Sequence, residues 1–254
     1  MNEIVLIGVG EIGGVLARGI LRIGYPVYPI TRAIDPSQAA QKISDPQSVI
    51  VAVGEKDLPD VLRNIPSNWR DKLVLLQNEL LPRDWQAQGI LNPTVISIWF
   101  EKKAGQDYKV ILPSPVYGRQ SPLIKNALES INIPCDILPN EEKLLFELVL
   151  KNLYILTTNI AGLQVGGTIG ELWRNHQDLA RTIANEVMDI QFWLIKKSLN
   201  REQLIQGMRK AFEKDLSHKC MGRTASVRLE RAIRFADEAG LAALKLREIA
   251  LIKK

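Results

Sequence analysis

The sequence is poor in the residues that build metal and disulfide sites. Its 254 residues include two cysteines and two histidines. Cys135 and Cys220 have neither C-x-x-C spacing nor a histidine cluster near them in the sequence. We therefore expect two buried free thiols in a reducing cytoplasm, with no disulfide and no metal site.

Long apolar runs are also missing. No run approaches the ~18 residues that a membrane span needs, and Glu3 and four early glycines interrupt any signal-peptide core. Apolar residues make up 46% of the chain and charged residues 24%, which is ordinary for a soluble globular protein. We expect a cytoplasmic protein without a membrane partner.

Aromatic residues are few, at 6%, although the chain carries a net charge of +5. The positive charge gathers between Lys196 and Arg234. A nucleic-acid-binding surface usually combines such charge with stacking aromatics or a recognition motif, and neither is present here. A solvated helix face, or a wall that attracts an anionic substrate and cofactor, is the favoured interpretation. A homodimer face stays open.

The most informative stretch follows the first apolar segment. Ile4–Ile7 leads into Gly8-x-Gly10-x-x-Gly13, and an amphipathic helical pattern comes next. Strand, glycine turn and helix in this order predict a dinucleotide-binding motif, with the glycines allowing a tight turn, close approach of a pyrophosphate and close helix packing. Free N–H groups at the helix N-terminus would bind the phosphates. The predicted cofactor-binding residues of this turn are Gly8, Val9, Gly10, Glu11, Ile12 and Gly13.

Apolar strands alternate with helical segments through the first half, a pattern typical of a parallel sheet. The predicted strands are Ile4–Ile7, Val27–Thr31, Val49–Val53, Leu73–Leu76, Thr94–Trp99 and Val110–Pro113. The predicted helices are Ile12–Ile23, Leu58–Asn64 and Ser121–Ser130. Pro29 fits poorly inside the second strand, because proline removes a ladder donor.

From Asn140 onward the pattern is helical, and Asn140 itself is a good N-cap. We therefore predict an α/β fold. An N-terminal, doubly wound parallel Rossmann domain would occupy residues 1–139, and a mainly α-helical substrate or dimerisation domain residues 140–254. The ligand cleft is expected between them, at the carboxyl ends of the strands.

The end of the second strand indicates which nicotinamide cofactor binds. NAD-binding domains place an acid there to bind the ribose 2′-OH, whereas this chain has Thr31 and Arg32, and Asp35 comes only later. A hydroxyl and a guanidinium suit a 2′-phosphate, so NADP(H) is predicted. The alternative is that Arg32 is a solvent-facing loop residue.

Together these features resemble the ketopantoate reductase (2-dehydropantoate 2-reductase) family over nearly the whole chain. The segment that begins at Lys151 matches the family's lysine, with Asn159 and Gly170-Glu171-Leu172 following at the family's spacing. Asn78 resembles the asparagine beside the nicotinamide, although the family has Asn-Gly where this chain has Asn78-Glu79. The resemblance implies a C-terminal domain like that of 6-phosphogluconate dehydrogenase, a cytoplasmic dimer and a role in pantothenate biosynthesis.

The resemblance assigns catalysis to Lys151 and Asn78. A lysine on an apolar helix beside a cofactor can polarise a ketone and then donate a proton while the nicotinamide donates hydride. The alternative is an exposed Glu147–Lys151 ion pair, which would contribute only tenths of a kcal/mol.

Two departures concern the substrate. The matched substrate-binding positions are Ile155, Asn159 and Ser217, with His218 as the alternative to Ser217 for the family's serine. The family's first asparagine, four residues after the lysine, is Ile155 in this chain. The family's substrate-contacting glutamate falls on Thr224, and Glu230 is displaced from that position. The resemblance therefore implies the fold and cofactor more firmly than ketopantoate as substrate.

Three functions follow. The first is NADPH-dependent reduction of a small anionic 2-oxo acid. The second is a related dehydrogenase of an imine or amino acid derivative. The third is a non-catalytic NADP(H)-binding sensor or assembly protein, which Ile155 and the missing glutamate favour and which Lys151 and Asn78 oppose.

Overall fold

The computed structural model describes residues 2–252. The chain divides into two compact units, of which the first ends at Glu147 and the second begins at Leu148. The predicted boundary at Asn140 coincides with the start of a long helix, and the division between the units lies within that helix. Lys143 donates its backbone N–H to Asn140 Oδ1 at 3.0 Å, so Asn140 caps the helix as predicted.

The first unit is built on a seven-stranded sheet with the order β2-β1-β3-β4-β5-β8-β9. Its first five strands are parallel, β8 runs antiparallel to β5, and β9 runs parallel to β8. A two-stranded sheet pairs β6 with β7. The strands are β1 (Ile4–Ile7), β2 (Val27–Ile30), β3 (Ser48–Val51), β4 (Leu73–Leu75), β5 (Thr94–Ile96), β6 (Phe100–Glu101), β7 (Lys109–Val110), β8 (Ser114–Tyr117) and β9 (Cys135–Ile137).

The strand order creates a topological switch point. The chain leaves β1 for β2 on one side and then returns to β3 on the other side. Ligands of open α/β sheets bind at the carboxyl ends of the strands where this reversal occurs, here between β1 and β3. Because β2 is an edge strand, Pro29 costs the sheet no ladder donor on its outer side.

The structure corrects the predicted strands at the far end of this sheet. The predicted strand Val110–Pro113 is wrong, because only Val110 is in a strand, and it pairs with Phe100 in the small sheet. The main sheet instead continues through β8 and β9, which the pattern did not reveal. Pro115 within β8 and the short exposed end of β9 obscure the alternation of apolar residues.

The helices of the first unit are α1 (Glu11–Arg22), α2 (Pro36–Lys42), α3 (Leu58–Arg63), α4 (Pro82–Gln86) and α5 (Ser121–Glu129), and a 3-10 helix covers Ser67–Lys72. The three predicted helices correspond to α1, α3 and α5. Helices α1 and α5 pack so closely that a Cβ on Gly19 would lie 2.4 Å from the backbone oxygen of Ala127. A glycine there lets the two helices approach on the sheet.

Between residues 141 and 252 the chain is mainly helical, as predicted. The helices are α6 (Glu141–Val165), α7 (Ile169–Asn175), α8 (Gln177–Ile195), α9 (Arg201–Lys214), α10 (Ala225–Ala239) and α11 (Leu244–Ile252). By length and composition alone α6 could cross a membrane, contrary to the expectation that no segment would, but 78% of its apolar window is buried, as in the core helix of a globular protein. Cys135 and Cys220 are free and buried, as the sequence predicts.

Candidate functional site

Each glycine of the turn after β1 has a distinct structural role. Gly8 has a φ of 95°, and a Cβ on it would lie 2.8 Å from the backbone oxygen of Ala52, which follows β3. A Cβ on Gly13 would lie 2.2 Å from the backbone oxygen of Gly8. Gly10 is different, because nothing lies within 4 Å of the position of its Cβ. The turn is therefore tightly packed on its protein side and open at Gly10, which fits the approach of a pyrophosphate.

The helix that follows the turn begins at Glu11, with Gly10 as its N-cap. The Glu11 carboxylate would repel a phosphate at this helix N-terminus. Lys102 Nζ lies 2.9 Å from Glu11 Oε2 and compensates that negative charge. The sequence did not reveal this pair, because 91 residues separate its members.

Thr31 and Arg32 are exposed directly after β2, at the same edge of the sheet as the glycine turn. Arg32 Nη2 lies 3.6 Å from Asp57 Oδ2, and the arginine side chain is 94% exposed. Asp35 has another role, because its carboxylate accepts a hydrogen bond from Ser37 N at 2.8 Å and caps α2. The residues directly after β2 are therefore a hydroxyl and a cation, with the Asp57 carboxylate beside the cation.

The turn after β4 carries Asn78. This residue is exposed, whereas its neighbour Gln77 is buried and donates to the backbone oxygen of Val51 at 2.7 Å. Gln77 thus fixes the end of β4 to the end of β3 and positions the turn. Glu79 adopts a φ of 58°, a left-handed conformation that glycine tolerates better. The backbone here has the shape that an Asn-Gly sequence would favour.

In the second unit, Lys151 lies on the long helix α6 and is partly buried. Burial and then the positive charge of Arg228 lower the pKa of Lys151 from its ordinary 10.5 to about 7. Its Nζ lies 5.7 Å from the centroid of the Tyr154 ring. Glu147 is partly buried as well, and burial raises the pKa of its carboxyl group. This environment differs from that of an exposed ion pair.

Asn159 lies two turns beyond Lys151 on α6, and its amide is engaged with protein groups. Its Nδ2 donates to the backbone oxygen of Ile155 at 2.9 Å. Its Oδ1 accepts from Gly222 N at 3.3 Å and from Arg228 Nη1 at 3.4 Å. The assignment of Asn159 to substrate binding stays a prediction, and the observed bonds show that this amide orients Arg228.

Arg228 was not among the site residues that the sequence pattern predicted. It is only 9% exposed and belongs to the buried face of α10. The sequence contained a signal for its burial, because the buried residues of α10 recur every three or four positions and position 228 fits that spacing. The buried residues of this face are Ala225, Arg228, Leu229, Ala232 and Ala236.

The other two predicted substrate-binding residues are Ile155 and Ser217. The side chain of Ile155 is buried, at 6% exposure. Ser217 Oγ donates to Asp215 Oδ1 at 3.1 Å, and Thr224 is exposed at the N-cap of α10. The roles of Ile155 and Ser217 toward a substrate stay predictions.

The Gly170-Glu171-Leu172 motif has a structural explanation. Thr168 and Glu171 form a capping box at the start of α7, with Thr168 N donating to Glu171 Oε2 at 2.8 Å. These hydrogen bonds lower the pKa of Glu171. A Cβ on Gly170 would lie 3.0 Å from the backbone oxygen of Leu216. The motif therefore begins a helix and lets the segment before α10 pack against it.

The fold is shared with solved oxidoreductases. A 2-dehydropantoate 2-reductase from Methylococcus capsulatus aligns with a TM-score of 0.72 at 15% identity, over 99% of this chain and 96% of that chain. A D-mandelate dehydrogenase in complex with NADH gives 0.70 at 15% identity, over 98% and 96%. A 2-dehydropantoate 2-reductase from Geobacter metallireducens gives 0.70 at 11% identity, over 98% of both chains.

This chain has the ketopantoate reductase fold. No protein-family model matches its sequence, and no curated protein sequence matches it either. At 11–15% identity, the similarity extends to the fold and leaves the activity to be argued from the residues themselves. The family resemblance that the sequence suggested is thus confirmed at the level of the fold.

Proposed function

We propose that this protein is a cytoplasmic, NADPH-dependent reductase of a small 2-oxo acid. The observation that carries the proposal is Lys151, a partly buried lysine whose pKa is lowered to about 7, on the helix that the ketopantoate reductase resemblance marks as catalytic. Structural neighbours named as 2-dehydropantoate 2-reductase and D-mandelate dehydrogenase support the same class of reaction.

The residues of the first unit fit a dinucleotide. The open space at Gly10 would accommodate a pyrophosphate, and the N–H groups at the start of α1 would hold its oxygens. Arg32, which lies 3.6 Å from Asp57, would hold the 2′-phosphate together with the Thr31 hydroxyl. When bound, the cofactor supplies a hydride. Asn78, exposed after β4, orients the nicotinamide.

The second unit supplies the proton. Protonated Lys151 donates a hydrogen bond to the ketone oxygen of the substrate, which makes the carbonyl carbon more electrophilic. As the carbon gains a hydride, the oxygen takes the proton of Lys151, so a C=O group becomes CH–OH and the lysine becomes a neutral amine. A pKa near 7 suits this role, because the protonated form is abundant and still gives up its proton readily.

The side chain of Ile155 bears on which 2-oxo acid is used. A hydrocarbon in place of the family's amide leaves a substrate hydroxyl without a partner, which discriminates against ketopantoate. A substrate with an apolar tail avoids this cost. The neighbour D-mandelate dehydrogenase, solved with NADH and anilino(oxo)acetate, has a ligand of that character.

A non-catalytic, cofactor-binding protein is the second candidate, because Thr224 stands where the family has a substrate-contacting glutamate. The deciding experiment follows NADPH and NADH oxidation against ketopantoate and phenylglyoxylate, with Lys151→Ala as the control. We expect phenylglyoxylate reduction, and a loss of about 10²–10⁴-fold in turnover for Lys151→Ala with NADPH affinity preserved. Tight NADPH binding without reduction of either 2-oxo acid would instead support the non-catalytic candidate.

A further inference from the structure

A buried arginine faces the same part of the second unit as Lys151. Arg228 lies in the first turn of α10, on the face that this helix buries. Its charge acts on Lys151, which lies on another helix, α6. An arginine is costly to bury in a protein interior, and a second cation nearby adds to that cost.

The structure fixes this guanidinium rather than leaving it free to turn. Asn159 Oδ1 accepts from Arg228 Nη1 and from the backbone N–H of Gly222, so one amide oxygen fixes both the arginine and the loop before α10. The loop approaches α6 so closely that a Cβ on Gly162 would lie 2.8 Å from the backbone nitrogen of Met221. Asn159 therefore positions Arg228 relative to the helix that carries Lys151.

Two cations so arranged match the charge pattern of a 2-oxo acid. Such a molecule has a ketone oxygen and a carboxylate on adjacent carbons, so a proton donor for one and a cation for the other must lie close together. Repulsion between Lys151 and Arg228 contributes to the low pKa of the lysine. A bound carboxylate offsets that repulsion, and the planar guanidinium can bind both carboxylate oxygens.

We propose that Arg228 binds the carboxylate of the substrate while Lys151 donates its proton to the adjacent ketone oxygen. Asn159 acts as a positioning residue for Arg228. This inference rests on the proposed function, since it names the group that selects an acid among ketones. It predicts that the site discriminates strongly between a 2-oxo acid and its neutral ester.

The test measures binding of anilino(oxo)acetate and of its methyl ester to the NADPH-saturated protein by calorimetry. The variants are Arg228→Gln, Arg228→Lys and the control Arg234→Gln, which removes an exposed arginine of the same helix that pairs with Glu238. For the unmodified protein we expect the acid to bind at least about 100-fold tighter than the ester, as a charge-assisted bidentate pair gives. Arg228→Gln should abolish this preference by weakening the acid alone, and Arg234→Gln should keep it.

Other results would overturn the inference. Equal weakening of acid and ester in Arg228→Gln would indicate a purely structural arginine, and equal affinities in the unmodified protein would remove the carboxylate site. If Arg228→Gln does not fold, Arg228→Lys decides, because it keeps the charge but loses the planar bidentate geometry and should lower the acid preference without changing ester binding. An unchanged acid preference in Arg228→Lys, or equal weakening of acid and ester, contradicts the assignment.

Turnover separates this inference from the proposed function. One outcome is that Arg228→Gln selectively loses acid binding while the unmodified protein reduces no 2-oxo acid. This outcome would support the carboxylate site and refute the reductase function. Reduction that favours acids equally in the unmodified protein and in Arg228→Gln would refute the role of Arg228 and leave the reductase standing.

Discussion

Arg228 donates a hydrogen bond to the side-chain oxygen of Asn159 at 3.4 Å, and both residues are buried. Asn159 lies on the same helix as Lys151, so this bond links the orientation of a guanidinium to the helix that carries the proposed proton donor. The matched asparagine of the resemblance is thus engaged with a cation of the protein itself. Lys151 and Arg228 are the two cations that we propose as the binding groups for an anionic substrate.

The glycine turn allows a test that separates packing from cofactor binding. Gly13→Ala places a methyl group against the Gly8 carbonyl and should destabilise the protein by about 2 kcal/mol or more, measured by urea unfolding. Gly10→Ala meets no protein atom, so it should fold normally and weaken NADPH binding about 10-fold or more. Gly14→Ala, also in open space within a helix, serves as the control and should gain about 0.5–1 kcal/mol. Normal NADPH affinity in Gly10→Ala would refute the phosphate site.

Cofactor preference should depend on Arg32. The unmodified protein should bind NADPH about 10–100-fold tighter than NADH, and Arg32→Ala should remove most of that difference, because one charge-assisted contact with the 2′-phosphate disappears. Fluorescence titration with both cofactors measures it. Arg63→Ala, which removes another exposed arginine of the first unit, should keep the preference. Equal affinities in the unmodified protein would contradict the NADPH assignment.

The rate of reduction should fall as the pH rises through about 7. Lys151 must be protonated to donate its proton, and its pKa is about 7, so kcat/KM should be level at lower pH and fall about tenfold per pH unit above it. Arg228→Gln should move this fall to higher pH, because a repelling charge is gone. A level profile between pH 6 and pH 9 would exclude Lys151 as the proton donor.

The same pKa sets a stability trend. The lysine of the folded protein loses its proton near pH 7, whereas that of the unfolded chain keeps it until about 10.5, so the unfolded state binds more protons between these values. The stability of the unmodified protein relative to Lys151→Met should therefore rise as the pH increases from about 7 to 10.5. Urea unfolding of both proteins at several pH values measures this difference.

Glu79→Gly should stabilise the protein by about 0.5–1 kcal/mol. Glu79 adopts a φ of 58°, and a side chain in that conformation lowers the free energy of unfolding by about 1–2 kcal/mol. Glycine avoids this strain, but its greater freedom in the unfolded chain offsets part of the gain. Asn132→Gly is the matched control, because asparagine tolerates its φ of 63° and should gain little. A lower unfolding midpoint for Glu79→Gly than for the unmodified protein would show that the glutamate side chain contributes more than the strain costs.

Substrate preference should respond to Ile155. Ketopantoate should be a poor substrate relative to phenylglyoxylate, because its hydroxyl lacks a partner beside a hydrocarbon. Ile155→Asn should raise kcat/KM for ketopantoate and lower it for phenylglyoxylate, compared in parallel assays. Efficient ketopantoate reduction by the unmodified protein would show that the exchange of asparagine for Ile155 does not determine specificity.

The sequence by itself determined the features that local rules control. Ile4–Ile7 followed by three spaced glycines predicted a strand, a turn and a helix, because this motif is formed by residues that are close together in the sequence. Asn140 predicted the start of a helix for the same reason, because an N-cap side chain accepts a hydrogen bond from a backbone N–H three residues later. The spacing from Lys151 to Asn159 likewise predicted that both residues lie roughly on one face of a helix.

Tertiary structure decided what depends on distant partners. Val110 could not be assigned to the small sheet, and β8 and β9 to the large one, until their pairing was known. Lys102 compensates Glu11 across 91 residues, and Arg228 reaches Asn159 across 69. No local pattern encodes such pairs, because they form only when packing brings separate elements together. The pKa of Lys151 belongs to this second group, since burial and a charge on another helix produce it.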